Sequence, residues 1–276
     1  MVSLKKCFQF LGLVLALWVF PQTASAKNKL SDIDCVIEPH MTVELSSPVS
    51  GILEVVNVKR GDRVKKGQVL ARLKSGVEEA SLKLAKARAD SLTDKKSQKV
   101  RYELSKRKLA RIEKLYRKNM VPKSDQDEAE TEKIVAELEV LRAEENHQLA
   151  LLDMNRAKEI LKLRSIVSPI DGVVVERFKS PGEYVEEQPI MKLAQIDPLN
   201  VEVIVPLSWL GSIKPGMPAL IRPERPVRRT FKARVAIVDP VVDASSGTIG
   251  IRLELPNPKF RLSAGLKCSI RFPTRK

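Results

Sequence analysis

Short apolar runs and one long amphipathic stretch alternate along this chain. From 46 to 75, brief hydrophobic segments are interrupted by Pro48, Gly51, Gly61 and Gly67, which predicts short strands joined by tight turns. Between Gly76 and Gly172 there is no glycine, and Pro122 is the sole proline before Pro169. Ala, Leu, Glu, Lys and Arg, all good helix formers, dominate that interval. Apolar residues recur there at helical spacing: Leu84, Ala85, Leu92, Leu104, Ile112 and Leu115, then Ile134, Leu138, Leu141, Leu149, Leu152, Ile160 and Leu163. The spacing predicts two antiparallel helices of about 40 residues, each about 60 Å long at 1.5 Å per residue. They are separated by a break at Asn119-Met120-Val121-Pro122-Lys123, after which Ser124 and Asp127 read as a helix cap.

The strand-like passage before the helices returns after them. Ser47-Pro48-Val49-Ser50-Gly51-Ile52-Leu53 recurs as Ser168-Pro169-Ile170-Asp171-Gly172-Val173-Val174, an offset of 121 positions. The same offset carries Gly61-Asp62-Arg63-Val64 onto Gly182-Glu183-Tyr184-Val185 and Val69-Leu70 onto Ile190-Met191. Two copies are too few for a solenoid, which needs three or more stacked units. They read instead as two half-modules paired into one small β-domain, with the helical pair inserted between them.

Residues 33–45 alternate loosely as one strand, and 197–276 return to strands and turns. Val201-Glu202-Val203-Ile204-Val205 and Ile249-Gly250-Ile251-Arg252-Leu253-Glu254-Leu255 alternate cleanly. The expected fold is therefore α+β and multidomain: a split β-sandwich with an inserted α-helical hairpin, followed by a small antiparallel β-barrel that the strand at 33–45 joins. The expected divisions are 1–26, 27–45, 46–75, 76–163 with a tip at about 116–124, 164–196 and 197–276.

The first 26 residues read as a secretory signal: Lys5 and Lys6, an apolar run from Phe8 to Phe20, and Ala24-Ser25-Ala26 as the cleavage site. The run is short of the ~20 residues that span a bilayer, so cleavage is expected, with an uncleaved anchor as the alternative. Cys7 precedes the run and is badly placed for lipidation. Without Lys5 and Lys6 the net charge falls from +15 to +13. A strongly basic exported protein suits anionic lipid or an acidic protein surface. Aromatic residues are 4% of the chain and no nucleic-acid reading motif is present, so nucleic acid is not expected as a partner.

Charge also separates the two helical arms. Residues 76–120 hold 14 Lys+Arg against 6 Asp+Glu, and residues 124–163 hold 5 against 11. One reading is two solvated faces whose exposed pairs contribute under about 1 kcal/mol each. The other is that the basic arm of one molecule meets the acidic arm of the next in a ring.

Reactive chemistry is sparse. Cys35 and Cys268 lie far apart in sequence, without the close clustering of metal or redox motifs; a disulfide and two buried thiols are both open. His147 sits among Glu144, Glu145 and Asn146 and reads as solvated, and His40 has no neighbour at metal-ligand spacing. No nucleophile–base pair or phosphate-binding glycine loop stands out. No catalysis, cofactor or metal is expected.

In this order, strand, half-module, hairpin, half-module and barrel resemble the periplasmic adaptors, or membrane fusion proteins, of HlyD and AcrA type. Ser47-Pro48-x-x-Gly51 and Ser168-Pro169-Ile170-Asp171-Gly172 resemble the family's two lipoyl-type halves. Ile213-Lys214-Pro215-Gly216, Val238-Asp239-Pro240-Val241-Val242-Asp243 and Leu255-Pro256-Asn257-Pro258 resemble the barrel signatures of adaptors serving resistance-nodulation-division pumps.

The resemblance implies that Arg111, Leu115, Pro122 and Asp127 at the hairpin tip contact a TolC-type outer-membrane channel. Pro122 stands where the family has Ser, with Ser124 nearby. A purely structural reading gives Leu115 the closing of the coil and Asp127 a cap. It implies further an inner-membrane transporter as partner, self-association as a hexamer and a periplasmic location. The family's membrane-proximal domain is not evident in the sequence. An ABC-type exporter or type I secretion system is the alternative for the partner. A lipoyl- or biotinyl-type carrier is the alternative of another class, because Met191-Lys192-Leu193 is superficially similar to a biotin carrier's Met-Lys-Met. The helices, however, occupy the place of the hairpin on which such a Lys is held.

Overall fold

The computed structural model describes residues 33–227 and 229–273; the secretory-signal reading of residues 1–26 lies outside them. The repeat folds as its offset demands. The first half supplies β1 (Ile33–Leu45), β2 (Gly51–Val56), β3 (Arg63–Val64) and β4 (Val69–Leu73). The second supplies β5 (Ser165–Val167), β6 (Gly172–Arg177), β7 (Tyr184–Val185) and β8 (Met191–Pro206). Each half lends its short strand to the other: Gly51 pairs with Val185 and Ile52 with Tyr184, while Gly172 pairs with Val64 and Val173 with Arg63. These pairs are related by the 121-residue offset, so the module has internal two-fold symmetry. Leu53, Leu70, Leu73, Ile190, Met191 and Leu193 are fully buried between its faces. Burying each such side chain contributes roughly 1.5–3 kcal/mol.

The barrel uses β9 (Pro218–Pro223), β10 (Phe231–Val238), β11 (Thr248–Leu255) and β12 (Lys267–Arg271). The order β1-β12-β9-β10-β11-β8 closes through β1–β8, so it has no free edge. Alternating residues Val201, Val203, Val205, Ile249, Ile251 and Leu253 fill its interior with Ile37, Ile221 and Ile270.

Strands β1 and β8 belong to both bodies. Cys35–Pro39 pair with Leu199–Val203 in the barrel, and Met41–Leu45 pair with Met191–Gln195 beside the sandwich. The register slips between Pro39 and Met41, and there His40 Nδ1 lies 3.2 Å from Asn200 Oδ1. The strand at 33–45 thus joins the sandwich as well as the barrel, and β8 runs unbroken past residue 196.

The insertion is a long hairpin of α1 (Gly76–Asp90), α2 (Thr93–Tyr116) and α3 (Lys123–Lys162). The second arm has the expected length of 40 residues. The first arm does not: it breaks at Ser91, which is extended at φ −75°, ψ 111°. Asp90, Ser91, Thr93 and Asp94 cluster at the break, and such short polar side chains compete with helix hydrogen bonds. The expected Ser124–Asp127 cap is also absent. Pro122, with φ −72° and ψ 162°, supplies the N-cap geometry two residues earlier, and Ser124 Oγ instead donates to Asp125 Oδ1 at 3.2 Å.

Candidate functional site: the hairpin and its tip

The tip turns on Asn119, a non-glycine residue at φ 51°. Its N–H donates to the Tyr116 carbonyl at 2.8 Å, and the Met120 N–H donates to the Leu115 carbonyl at 3.0 Å. This is a Schellman closure with Asn in the left-handed position usually taken by Gly. Leu115 is half-buried below the turn, while Arg111, Pro122, Ser124 and Asp127 are exposed around it. The tip therefore gathers the residues singled out from sequence onto one end, and Met120, 66% exposed, joins them. In the sequence Met120 stands out only as part of the break at 119–123.

Along the shaft, the face that α3 turns to α1 and α2 is lined by small residues. Ala129 and Ala143 are 1% and 4% exposed, and Ala85, Ala89 and Ser105 are buried on the facing arm. The apolar residues that set the helical period stand mostly elsewhere. Leu138, Leu141, Leu149 and Leu152 are 58%, 56%, 63% and 63% exposed, and Ile160 and Leu163 are exposed as well. Leu138, Leu149 and Ile160 recur every 11 residues, as do Leu141, Leu152 and Leu163. An 11-residue period is 3.67 residues per turn and draws a nearly straight line along a helix. From Leu138 to Leu152 that line stands in solvent, whereas Ile160 lines a groove with Val77, Leu84 and Ala85 of α1.

On α2, Val100 and Leu104 are 67% and 58% exposed, and Val100 lies in an open groove with Lys96, Lys99, Glu103 and Arg107. Two ion pairs cross the arms, Lys95–Glu144 at 2.7 Å and Lys108–Glu132 at 2.5 Å. Each pair depresses its carboxylate or raises its lysine: Glu144 lies below its ordinary pKa through its hydrogen bond to Lys95, and Lys108 above its own through Glu132. His147 departs from its expected solvated position: it is half-buried, and its Nδ1 is enclosed without a hydrogen-bond partner. It falls on the α3 face turned to the other arm, which the acidic residues flanking it in sequence conceal.

At the root, Arg164 was not singled out by its sequence. Its Nη2 donates to Glu78 Oε1 at 2.5 Å and its Nη1 to the Ser50 carbonyl at 2.9 Å. It thereby ties the base of α1 and the end of the hairpin to the start of β2. The barrel signatures resolve into turn chemistry. Asn257, 4% exposed, donates to the carbonyls of Ile196 and Leu262, both at 2.9 Å, and accepts from the Leu262 N–H at 3.1 Å. Asp243 accepts from the Ser245 N–H at 2.9 Å and from the Ser245 and Ser246 hydroxyls at 2.6 and 2.8 Å. Lys192 lies in β8, paired with Glu44 at 3.1 Å, rather than on a turn. Cys35 and Cys268 are register partners on β1 and β12 and are joined by a disulfide. Among the described residues no group of three or more His, Cys, Asp or Glu could hold a metal ion, and no helix is long and apolar enough to cross a membrane.

A split lipoyl-like sandwich, a projecting helical hairpin and a closed barrel on a shared strand pair together define a membrane fusion protein of the adaptor class. The chain belongs to that family: the CzcB-like barrel-sandwich hybrid domain matches residues 41–195 and the CusB-like β-barrel domain residues 199–276. It is 28% identical to the macrolide export protein MacA of Yersinia pestis over 239 residues, covering 83% of this chain and 64% of the relative. It is 23% identical to the multidrug resistance protein MdtE of Escherichia coli K12 over 255 residues, covering 87% and 63%. It thus spans less than two thirds of either curated relative. The crystal structure of MacA from Actinobacillus actinomycetemcomitans superposes with a TM-score of 0.72 at 24% identity, covering 87% of this chain and 76% of that one. That likeness shows the fold.

Proposed function

We propose that this chain is a non-catalytic periplasmic adaptor of a tripartite efflux system, closing with copies of itself into a hexameric ring between an inner-membrane transporter and a TolC-type outer-membrane channel. The observation that carries the reading is the exposed leucine line of α3. A bare apolar stripe along a projecting helix is stabilised by a partner helix, and the same hairpin offers one in the Val100–Leu104 face of α2. The surrounding charges match: the first arm carries the excess of cations and the second the excess of acids, and the two ion pairs that cross the arms within one chain involve only Lys95 and Lys108 of the first arm. A contact between two different faces, repeated by rotation, closes into a ring.

In such a ring the tips carry Arg111, Leu115, Pro122 and Asp127 to the channel, and the barrel ends face a transporter of the resistance-nodulation-division class rather than an ABC exporter. The relatives' names, macrolide export and multidrug resistance, support export as the task. The adaptor's part is to seal a conduit, with energy drawn from the transporter. Sedimentation of the full chain tests the assembly. Leu138→Glu combined with Leu149→Glu is expected to leave monomers where the parent forms rings; a double variant that still forms rings would sink the reading. Co-purification with an ABC exporter would overturn the choice of transporter.

A further inference from the structure

We infer that the Cys35–Cys268 disulfide is a structural staple that makes the barrel and the lipoyl-like sandwich a single cooperative unit. The two cysteines occupy opposed positions on neighbouring antiparallel strands, with Cα atoms 4.8 Å apart, a spacing that directly opposed residues in such a ladder provide. Each is 4% exposed within the barrel core, so neither thiol is presented to another molecule. The bond spans 233 residues and therefore joins nearly the whole described chain into one covalent loop.

Its position matters more than its length. The β1–β12 ladder it crosses is short, Ile33 to Val36 against Ile270 to Lys267, and this ladder and the β1–β8 ladder together close the barrel. Cys35 also lies opposite Val203 on β8. The far half of the same β1 strand runs beside the sandwich, where Val43 and Leu45 pack on its core. Pinning β1 at Cys35 therefore holds a strand that both bodies need. Without the bond, the barrel end of β1 can fray while Met41–Leu45 stay paired, and the two bodies can open separately.

Forming the bond removes one proton from each thiol and two electrons from the pair. The electrons and protons pass to the disulfide of an oxidant, protein or small molecule, which leaves as a dithiol. Such oxidants prevail outside the cytoplasm, so the presence of the bond in cells rests on the export reading, whereas its ability to form does not.

Two preparations of the full chain separate these dependences: one taken from cells without reductant, one unfolded, reduced and refolded in a glutathione redox buffer. Each is alkylated under denaturing, non-reducing conditions and mapped by mass. The expected result is no label on Cys35 or Cys268 in either, with both labelled after reduction. A label on Cys7, where that residue is retained, reports on neither. Free thiols from cells with a bond after refolding would support the staple and overturn the export reading. Both thiols free after refolding would overturn the staple. Thermal unfolding reads the consequence: one transition in the oxidised protein, and in reductant or in Cys35→Ala/Cys268→Ala two transitions, the first with a midpoint lower by at least about 5 °C; a single transition without the bond would overturn the coupling of the two bodies. An unchanged midpoint would overturn the stapling role.

Discussion

The Gly61 N–H donates to the Val174 carbonyl across the two halves of the sandwich at 2.8 Å, and 121 positions later the Gly182 N–H donates to the Leu53 carbonyl at 2.7 Å. Both glycines are left-handed, at φ 89° and 93°, which favours glycine over any side chain bearing a Cβ. Beside them, Leu53 N–H meets the Glu183 carbonyl and Val174 N–H meets the Asp62 carbonyl, each at 2.9 Å. Neither half can satisfy these backbone groups alone. The hairpin is consequently held at its root by strands that only the assembled pair completes.

That symmetry is not perfect, and Gly172 shows where. A Cβ at Gly172 would stand 2.3 Å from the Ala194 carbonyl oxygen, a backbone atom. At Gly51, the matching position, the nearest atom is Arg164 Nη1 at 2.7 Å, the end of a long side chain rather than backbone. Gly172→Ala is expected to destabilise the protein by about 2 kcal/mol or more, and Gly51→Ala by clearly less. Urea midpoints of the two variants, compared in parallel, check the ordering.

Arg164→Ala is expected to cost about 1–2 kcal/mol, because it strips the Ser50 carbonyl and the Glu78 carboxylate of a shared donor. Arg164→Lys should not restore it, since an ammonium cannot fork to two acceptors in the same way. Hydrogen exchange at Gly76–Glu79 would quicken in both variants. A backbone hydrogen bond first, then Arg164, hold the Glu78 carboxyl below its ordinary 4.5, against burial. Its stabilising share is complete above that value and fades as acid protonates it, so the Arg164→Ala deficit should shrink as pH falls below 4.5.

Asp243 offers a sharper pH test. Hydrogen bonds from the Ser245 side chain, then from Ser246, lower its carboxyl from 3.8 to about 2. A depressed carboxyl stabilises the fold above its unfolded value and loses that contribution as pH falls through the folded one. Between pH 3.8 and 2 the parent should therefore lose stability faster than Asp243→Asn. Parallel slopes of the unfolding midpoint across that window would show that the turn does not use the charge.

If the proposed docking at the tip holds, Arg111→Asp and Leu115→Ser abolish export in cells that depend on this chain and leave its folding and sedimentation unchanged. Growth of cells that require the export, measured alongside sedimentation, distinguishes the two effects. Export that persists in both variants would remove the tip from channel docking.

How far the chain could be read without its structure depends on the kind of signal. The offset linking Gly51 to Gly172 and Gly61 to Gly182 was legible because turn geometry restricts residue type locally. The hairpin was legible because 40 residues of helix former with a clear period have no competing local structure. The direction of the leucine line was not: α3 carries apolar residues on both faces, and periodicity cannot tell which face its own partner covers. Alanines won the inner seam because small side chains let two helices approach closely. The break at Ser91 was written in Asp90, Thr93 and Asp94 but hidden by the strong helix formers around it.

The chain's order of residues by itself determined the paired half-modules, the projecting rod and the alternating strands of the barrel, since the first follows from a repeat and the others from spacing between near neighbours. Only the tertiary structure decided that β1 and β8 serve both bodies, that Arg164 reaches Ser50 and Glu78, and that Cys35 meets Cys268. Those contacts join positions 86 to 233 residues apart, and no local preference encodes a partner at that distance. They arise when buried apolar faces bring the strands together and fix which atoms become neighbours.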